Sequence, residues 1–163
     1  MGTINIDTLN KSEMPFGTLS QIGIIVKDMN KAMEFLKSIG FGPFIPRFRE
    51  PCDEVREGEK RVDINLELMF TYFNNLELEL IQPKGEGLHM DFLRSTGGGI
   101  HHLGFWVDDL DAALTNLKEQ GVKIKQIGRR SKAGGGFALL DARDDCGLII
   151  EIAQGPVRPG KTK

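Results

Sequence analysis

Hydrophobic and polar residues alternate in two segments that carry the same pattern 81 residues apart. Residues 19–28 read Leu-Ser-Gln-Ile-Gly-Ile-Ile-Val-Lys-Asp, and residues 100–109 read Ile-His-His-Leu-Gly-Phe-Trp-Val-Asp-Asp. Because the side chains of a strand point alternately to its two faces, each segment is predicted to be a strand with one apolar face. The chain is therefore predicted to contain an internal repeat.

Each predicted strand is followed by the hydrophobic spacing of a helix. Apolar residues fall at i, i+3, i+4 and i+7, which forms one buried stripe. They are Met29, Ala32, Met33 and Leu36 in the first copy and Leu110, Ala113, Leu114 and Leu117 in the second. Asp28 and Asp109 occupy the N-cap position, where a carboxylate accepts a free backbone N–H. Gly40 and Gly121 occupy the left-handed position that follows a helix.

The two copies become similar again in their final strands. Residues 75–82 read Asn-Leu-Glu-Leu-Glu-Leu-Ile-Gln, and residues 147–154 read Gly-Leu-Ile-Ile-Glu-Ile-Ala-Gln. Another strand is predicted before each of them, at 63–73 and 136–142, and a short strand is predicted near 122–127. Each copy is therefore predicted to have the order β-α-β-β-β.

Two such modules define the predicted fold class, which is α+β. The tandem βαβββ modules are expected to form a curved, partly open, eight-stranded barrel-like sheet with the helices outside. The first module is predicted at 17–83, a linker helix with a glycine turn at 84–99, and the second module at 100–154, so that 17–154 form one domain. Tails are predicted at 1–16 and 155–163, and the charged segment 47–61 is predicted to be a mobile loop.

Strand alternation places four polar side chains on the face of the sheet that does not cover the helices. They fall at two pairs of repeat-equivalent positions, Gln21 with His102 and Glu79 with Glu151. Taken singly, such residues are usually solvated or structural, but modules related by a two-fold axis would bring all four together. Three oxygen donors and one imidazole suit a divalent ion of borderline or hard character. The pattern therefore predicts one shared metal site.

Composition limits the possible partners and the compartment. The 163 residues carry a formal net charge of −2 with no block of one sign, which argues against nucleic acid as a partner. No apolar run approaches the roughly 20 residues of a membrane span. Cys52 and Cys146 lack the spacing of a metal or redox motif, and the first residues lack the apolar core of a signal peptide. A cytoplasmic protein with no membrane partner is expected.

Three segments resemble the vicinal oxygen chelate superfamily, also called the glyoxalase/bleomycin-resistance/dioxygenase fold. They are Gly-Gly-Gly-Ile-His-His-Leu-Gly-Phe-Trp-Val-Asp-Asp-Leu at 97–110, and residues 76–83 and 145–152. The resemblance covers about 17–154 and is strongest to the methylmalonyl-CoA epimerase branch. It implies one divalent ion (Zn, Co, Ni or Mn) held by Gln21, Glu79, His102 and Glu151, and it selects His102 over His101. It also implies an acyl-CoA as the small-molecule partner and favours a homodimer.

The activity implied by this resemblance is a metal-dependent epimerisation that moves the α-proton of an acyl-CoA such as methylmalonyl-CoA through a metal-stabilised enolate. Glu151 is implied as ligand and base. Either Glu79 or Glu67 could be the second base. If Glu67 does not face the site, it is expected at the surface, as is Glu77.

The first strand departs from the epimerase pattern, because Ser20-Gln21 stands where Asp/Asn-His is usual. A Gln, Glu, His, Glu set instead resembles the site of some lactoylglutathione lyases (glyoxalase I), which is the alternative activity. A metal-free small-molecule binding or resistance protein is the third hypothesis.

Other polar residues are weaker candidates for the site. Four cations are possible contacts for a coenzyme A phosphate or a substrate carboxylate, with a solvated loop as the alternative. They are Lys125, Arg129, Arg130 and Lys132. His89 is expected on the linker helix without a role, and His101 is expected to face the helix side or solvent. Trp106 shares the alternation of His102 and is expected either to line the pocket or to pack in the core.

Overall fold

The predicted order β-α-β-β-β is confirmed only in part: among the described residues the first copy has two additional short strands and the second has a short helix before its last strand, so the sheet has ten strands where eight were predicted. The computed structural model describes residues 16–46, 51–132 and 134–155, so the predicted tails, apart from Phe16 and Gly155, lie outside the described residues. The first copy contains β1 (Leu19–Ile25), α1 (Met29–Ser38), β2 (Ile45–Pro46), β3 (Glu54–Glu57), β4 (Lys60–Arg61), β5 (Leu66–Phe73) and β6 (Leu76–Pro83). After the linker helix α2 (Leu88–Thr96), the second copy contains β7 (Gly99–Trp106), α3 (Leu110–Glu119), β8 (Ile124–Arg129), β9 (Gly136–Ala142), α4 (Arg143–Cys146) and β10 (Leu148–Gln154).

One sheet of ten strands joins the two modules, in the order β2-β5-β6-β1-β7-β10-β9-β8-β3-β4. β1 pairs with β6 in parallel, and β7 pairs in the same way with β10. The modules meet at the antiparallel pair of β1 and β7, near the middle of the sheet. The strands at the two ends of the order do not pair with each other within the described residues, so the sheet stays open. The predicted α+β fold is confirmed.

The helix signals act as the sequence predicts. Asp28 accepts a hydrogen bond from the backbone N–H of Lys31, and Asp109 accepts one from Ala112. Gly40 and Gly121 have φ values of 97° and 76°, in the left-handed region that a residue with a Cβ rarely enters.

A second symmetric pair supports the helix starts. Gln82 and Gln154, the last polar residues of the two repeats, each accept from the first backbone N–H of a helix, that of Met29 and that of Leu110. These bonds satisfy donors that have no partner inside the helix and fix each helix to the final strand of its own module.

The two repeated helices are not equally buried. All four stripe residues of α3 are buried and pack with strand residues of the second module into a hydrophobic core that includes Ala138, Leu140 and Ile152. In α1 the first stripe residue, Met29, is buried, while Ala32, Met33 and Leu36 are half-buried. None of the helices in the described ranges is long and apolar enough to cross a membrane.

The charged segment 47–61 is not simply a loop. Residues 47–50 lie outside the described residues, but β3 and β4 form a hairpin that pairs with β8. Val55 of this hairpin is buried, with 7% of its surface exposed. The prediction of a loop across the whole segment is therefore wrong, because the unpaired edge of β8 offers backbone hydrogen bonds that outweigh the polar composition of the segment.

Candidate active site

Two repeat-equivalent glycines create the space for the candidate site. Gly23 lies opposite His102 in the β1–β7 pair and beside Glu79 of β6, while Gly104 lies opposite Gln21 and beside Glu151 of β10. A Cβ on Gly23 would lie 2.2 Å from the His102 ring, and a Cβ on Gly104 would lie 2.8 Å from Cβ of Gln21. Each glycine thus leaves room for a polar side chain from the opposite module.

The four residues predicted to form the site come together at this seam. Nε2 of His102 lies 3.0 Å from Oε1 of Gln21, 3.7 Å from Oε2 of Glu79 and 3.9 Å from Oε2 of Glu151. His102 and Gln21 are buried, with 2% and 7% of their surfaces exposed. The duplicated pattern therefore places Gln21 and Glu79 of the first module and Glu151 of the second around the imidazole nitrogen of His102.

The chemistry of these donors fits a divalent ion. Burial lowers the pKa of His102 to about 3, with a smaller contribution from the neighbouring His89, so the ring is neutral near pH 7. A neutral imidazole with two carboxylates and an amide oxygen is a suitable ligand set. The described residues contain no group of three or more His, Cys, Asp or Glu side chains already in a metal-binding arrangement. At this seam, the Gln21 oxygen contacts the nitrogen that would bind the ion.

Three histidines extend from the site toward the linker helix. Nδ1 of His102 lies 3.0 Å from Nδ1 of His101, whose ring packs against His89 and Phe92 of α2 at centroid distances of 4.8 and 4.9 Å. Burial lowers the pKa of His101 to about 2 and that of His89 to about 4. The 3.0 Å contact with Oε1 of Gln21 requires Nε2–H of His102 to donate, because an amide oxygen only accepts. With an ion bound, Nδ1 of His102 would instead donate to His101 and the lone pair of Nε2 would be directed into the site.

This stack gives His89 and His101 positions that the sequence analysis predicted only in part. His101 faces the linker helix, as expected. His89 was expected to have no role, yet it is buried, supports His101 and contributes to the wall of the cavity beside the four residues. The i, i+3 spacing of His89 and Phe92 on one helix face is the signal that would have indicated this packing.

Glu77 lies beside the site and not at the surface position that its sequence pattern predicts. Its carboxylate is fully buried. It accepts a hydrogen bond of 2.6 Å from Nε2 of Gln21 and another from the hydroxyl of Tyr72. The prediction of a surface position is wrong, because Glu77 lies in the wall of the cavity between the modules, where the neighbouring strands cover its side chain. Glu67, in contrast, is exposed as expected and pairs with Lys84 at 2.8 Å.

The four residues line a cavity of about 610 Å³, a size typical of small-molecule sites. Leu66, Leu68 and Phe70 of β5 supply an apolar wall, and Trp106 lines the cavity while being buried, which combines both expectations for it. Because alternate residues of β5 face the cavity, the intervening Glu67 points to the opposite side.

Two arginines are among the residues that line the cavity. Arg130 lines the cavity, which agrees with its prediction as a possible contact for a substrate anion. Arg61, at the end of β4, also lines the cavity. Arg129 instead pairs with Asp111 on α3 at 2.5 Å, and Lys125 and Lys132 are exposed. Of the four cations considered, Arg130 is therefore the one that contacts the candidate site. Arg61 was missed because its segment was interpreted as a loop.

The fold and this duplicated site define a class of proteins. A family model described as the Glyoxalase/Bleomycin resistance protein/Dioxygenase superfamily matches residues 20–139. The chain belongs to this superfamily. The match includes the first strands of both modules and therefore the seam at which Gln21 and His102 meet.

Individual relatives in this superfamily are epimerases. The chain is 27% identical over 154 residues to the human mitochondrial methylmalonyl-CoA epimerase. The aligned region covers 91% of this chain and 80% of that protein. It is 28% identical over 143 residues to an ethylmalonyl-CoA/methylmalonyl-CoA epimerase of Cereibacter sphaeroides, covering 85% and 98%.

A solved structure extends the likeness to the fold. A variant of the Streptomyces coelicolor methylmalonyl-CoA epimerase in complex with 2-nitronate-propionyl-CoA is similar with a TM-score of 0.68 at 22% identity, covering 87% of this chain and 99% of that one. The similarity spans almost the entire length of that protein. At this level of identity it supports the architecture.

Proposed function

We propose that this protein is an acyl-CoA epimerase that moves the α-proton of methylmalonyl-CoA or a close analogue. The observation that carries the proposal is the convergence of Glu79 and Glu151 on His102 inside a cavity with two arginines. The similarity to epimerases over most of the chain supports the same reaction class.

Gln21, Glu79, His102 and Glu151 are the residues that would hold a divalent ion, which we propose as Zn, Co, Ni or Mn. When bound, such an ion supplies stabilisation for the negative charge that develops on the thioester oxygen as the α-proton leaves. Two carboxylate ligands balance the charge of a 2+ ion. His101 would keep the His102 ring in the required orientation through the contact between their Nδ1 atoms.

The proton transfer is assigned to the carboxylates of this chain. The α-carbon lies between a thioester and a carboxylate, so its proton is acidic enough for a carboxylate base. Glu151 is proposed to accept the proton on one face of the substrate. Glu79, from the other module, would return one on the opposite face from its protonated form, in which it would not serve as a metal ligand. The exposed position of Glu67, which pairs with Lys84 outside the cavity, argues against it as the second base. Arg61 and Arg130 would bind the anionic groups of the substrate.

Proton exchange tests this proposal directly. One epimer of methylmalonyl-CoA in deuterated water should lose its α-proton signal and form the other epimer when the protein is added with Co²⁺. Matched reactions would use protein treated with a chelator and the Glu67→Gln variant, which changes a carboxylate outside the cavity. An α-proton that stays in place with each of the four metals supplied would refute the epimerase.

A glyoxalase I-type lyase is the alternative, and the contact of the Gln21 oxygen with His102 favours it because that set contains Gln, Glu, His and Glu. Formation of lactoylglutathione from the methylglyoxal–glutathione hemithioacetal would identify this activity. The metal-free binding protein makes a different prediction, namely that metal analysis finds no stoichiometric ion and that Glu151→Gln leaves ligand binding unchanged.

A further inference from the structure

We propose that Glu77 is a positioning residue that makes Gln21 an oxygen ligand. Resting on the metal site of the proposed function, this inference adds to it a residue that does not itself bind the ion. The Gln21 amide has two ends of similar size, a carbonyl oxygen that can bind a cation and an NH₂ group that cannot. The neighbours of the amide therefore decide whether Gln21 contributes to the site.

The contacts of Gln21 fix this choice. Its Nε2 donates to Oε1 of Glu77 at 2.6 Å, and its Oε1 faces Nε2 of His102 at 3.0 Å. A carboxylate oxygen accepts this N–H bond, whereas the Gln21 oxygen would meet repulsion there if the amide were turned round. Glu77 therefore directs the NH₂ group away from His102 and the oxygen toward it.

Glu77 is itself held in place. It lies beside Gln21 in the parallel β6–β1 pair and opposite Tyr72 in the β5–β6 pair. The Tyr72 hydroxyl donates to Oε2, so each carboxylate oxygen has a separate donor. Since the side chain is fully buried, water does not compete for these bonds. The series Tyr72–Glu77–Gln21 thus runs from β5 across β6 to the site.

The second module shows that this arrangement is specific to the first. The residue equivalent to Glu77 in the repeat is Ile149, which has no polar group to offer His102. His102 is oriented by His101, its neighbour along the chain. Gln21 and His102 are therefore each held by a different residue, Glu77 and His101. The carboxylate lies beside Gln21, the amide whose oxygen and NH₂ group could otherwise exchange places.

The test is Co²⁺ affinity, followed by the visible absorption of the bound ion and combined with circular dichroism to verify folding. Glu77→Met keeps the length of the side chain and removes the acceptor, and we expect it to weaken Co²⁺ binding about 10- to 100-fold. Glu77→Gln retains an oxygen that Gln21 can use in one orientation, so its loss should be smaller. Glu67→Met, on the exposed face of β5, is the matched control and should leave affinity unchanged.

A cycle with Gln21→Ala separates positioning from a general effect of charge or packing. If Glu77 acts through Gln21, Glu77→Met should change Co²⁺ affinity less than about twofold once the amide is gone. An equal loss in both backgrounds, or wild-type affinity for Glu77→Met, would overturn the inference while leaving the metal site intact.

If Glu77→Met does not fold, the same comparison with Glu77→Gln decides: a loss that vanishes with Gln21→Ala supports the inference, and wild-type affinity contradicts it. A wild-type protein that binds no Co²⁺ would overturn the inference together with the proposed metal site.

Discussion

The two modules of this protein present equivalent residues to one site, but they support those residues differently. In the first module Gln21 is held by the buried carboxylate of Glu77, and in the second His102 is held by His101. The helices differ in the same sense, because α3 buries its whole apolar stripe and α1 leaves most of its stripe half-buried. The comparison teaches that a duplicated backbone can keep a symmetric site while the surrounding packing becomes asymmetric.

The largest effect is expected from the two carboxylates. Glu79→Gln and Glu151→Gln each keep an oxygen donor and remove a proton acceptor, so epimerisation of methylmalonyl-CoA should fall about 10²- to 10⁴-fold in both. Because the bases serve opposite faces, each variant should retain α-proton exchange with one epimer, a different one in each. Proton NMR in deuterated water measures both rates. Wild-type epimerisation by either variant would show that its carboxylate is not a base.

The next comparison concerns the two helices. Leu114→Ala removes a side chain that is 4% exposed in the core of the second module and should lower the free energy of unfolding by about 2–5 kcal/mol. Met33→Ala, at the equivalent position of α1, should cost less than about 2 kcal/mol because part of this side chain already meets water. Urea unfolding of both variants measures the difference. Equal losses would mean that α1 is covered in solution, as the predicted homodimer would allow.

The paired glycines provide a third comparison. In Gly23→Ala the new methyl group would lie 2.2 Å from the rigid ring of His102, whereas in Gly104→Ala it would lie 2.8 Å from Cβ of Gln21, a less severe overlap. Overpacking of this kind costs about 1–3 kcal/mol, and we expect Gly23→Ala to show the greater loss of thermal stability and of Co²⁺ affinity. The reverse order in a thermal unfolding and metal titration series would argue against this geometry.

The last comparison concerns the histidine stack between α2 and β7. His89 has a pKa lowered by burial to about 4 from 6.5, so the unfolded chain binds this proton more readily than the folded chain does. The free energy of unfolding should therefore fall as the pH drops from about 6.5 toward 4, by up to about 1.4 kcal/mol per pH unit for each such proton. In His89→Leu this slope should decrease by about one proton, as measured by urea unfolding of chelator-treated protein across that range. An unchanged slope would place His89 in water.

The sequence predicted the features that depend on the repeat and on the alternation of side chains along each strand. The 81-residue repeat of the first strand and the alternation of its side chains were sufficient to place Gln21 and His102 on one face. The separate repeat of the final strand, in which Glu79 and Glu151 are 72 residues apart, added the two carboxylates. The sequence shows that Gly23 and Gly104 occupy equivalent positions of the repeat. That each makes room for a side chain of the opposite module follows only from the distances between the strands. The cytoplasmic location and the homodimer stay predictions.

What the sequence could not give depends on contacts between distant parts of the chain. Leu-Glu-Leu-Glu-Leu has the pattern of a strand with one wet face, and only the enclosure by β5 and the opposite module buries Glu77. The hairpin at 54–61 is polar, and its pairing depends on the free edge of β8. Arg61 reaches the cavity as a result of that pairing, which no local pattern in its own segment indicates.

The antiparallel β1–β7 seam has a consequence for the protein's ancestry. A chain with a single module would hold only half of the donors, so two copies would have to associate to complete the site. The two halves of such a dimer would be identical and would contribute identical donor pairs. Joining the halves through α2 removes that requirement, because each can mutate without changing the other. An amide in one half and an imidazole in the other, each with its own support, are differences that two identical copies of one module could not have.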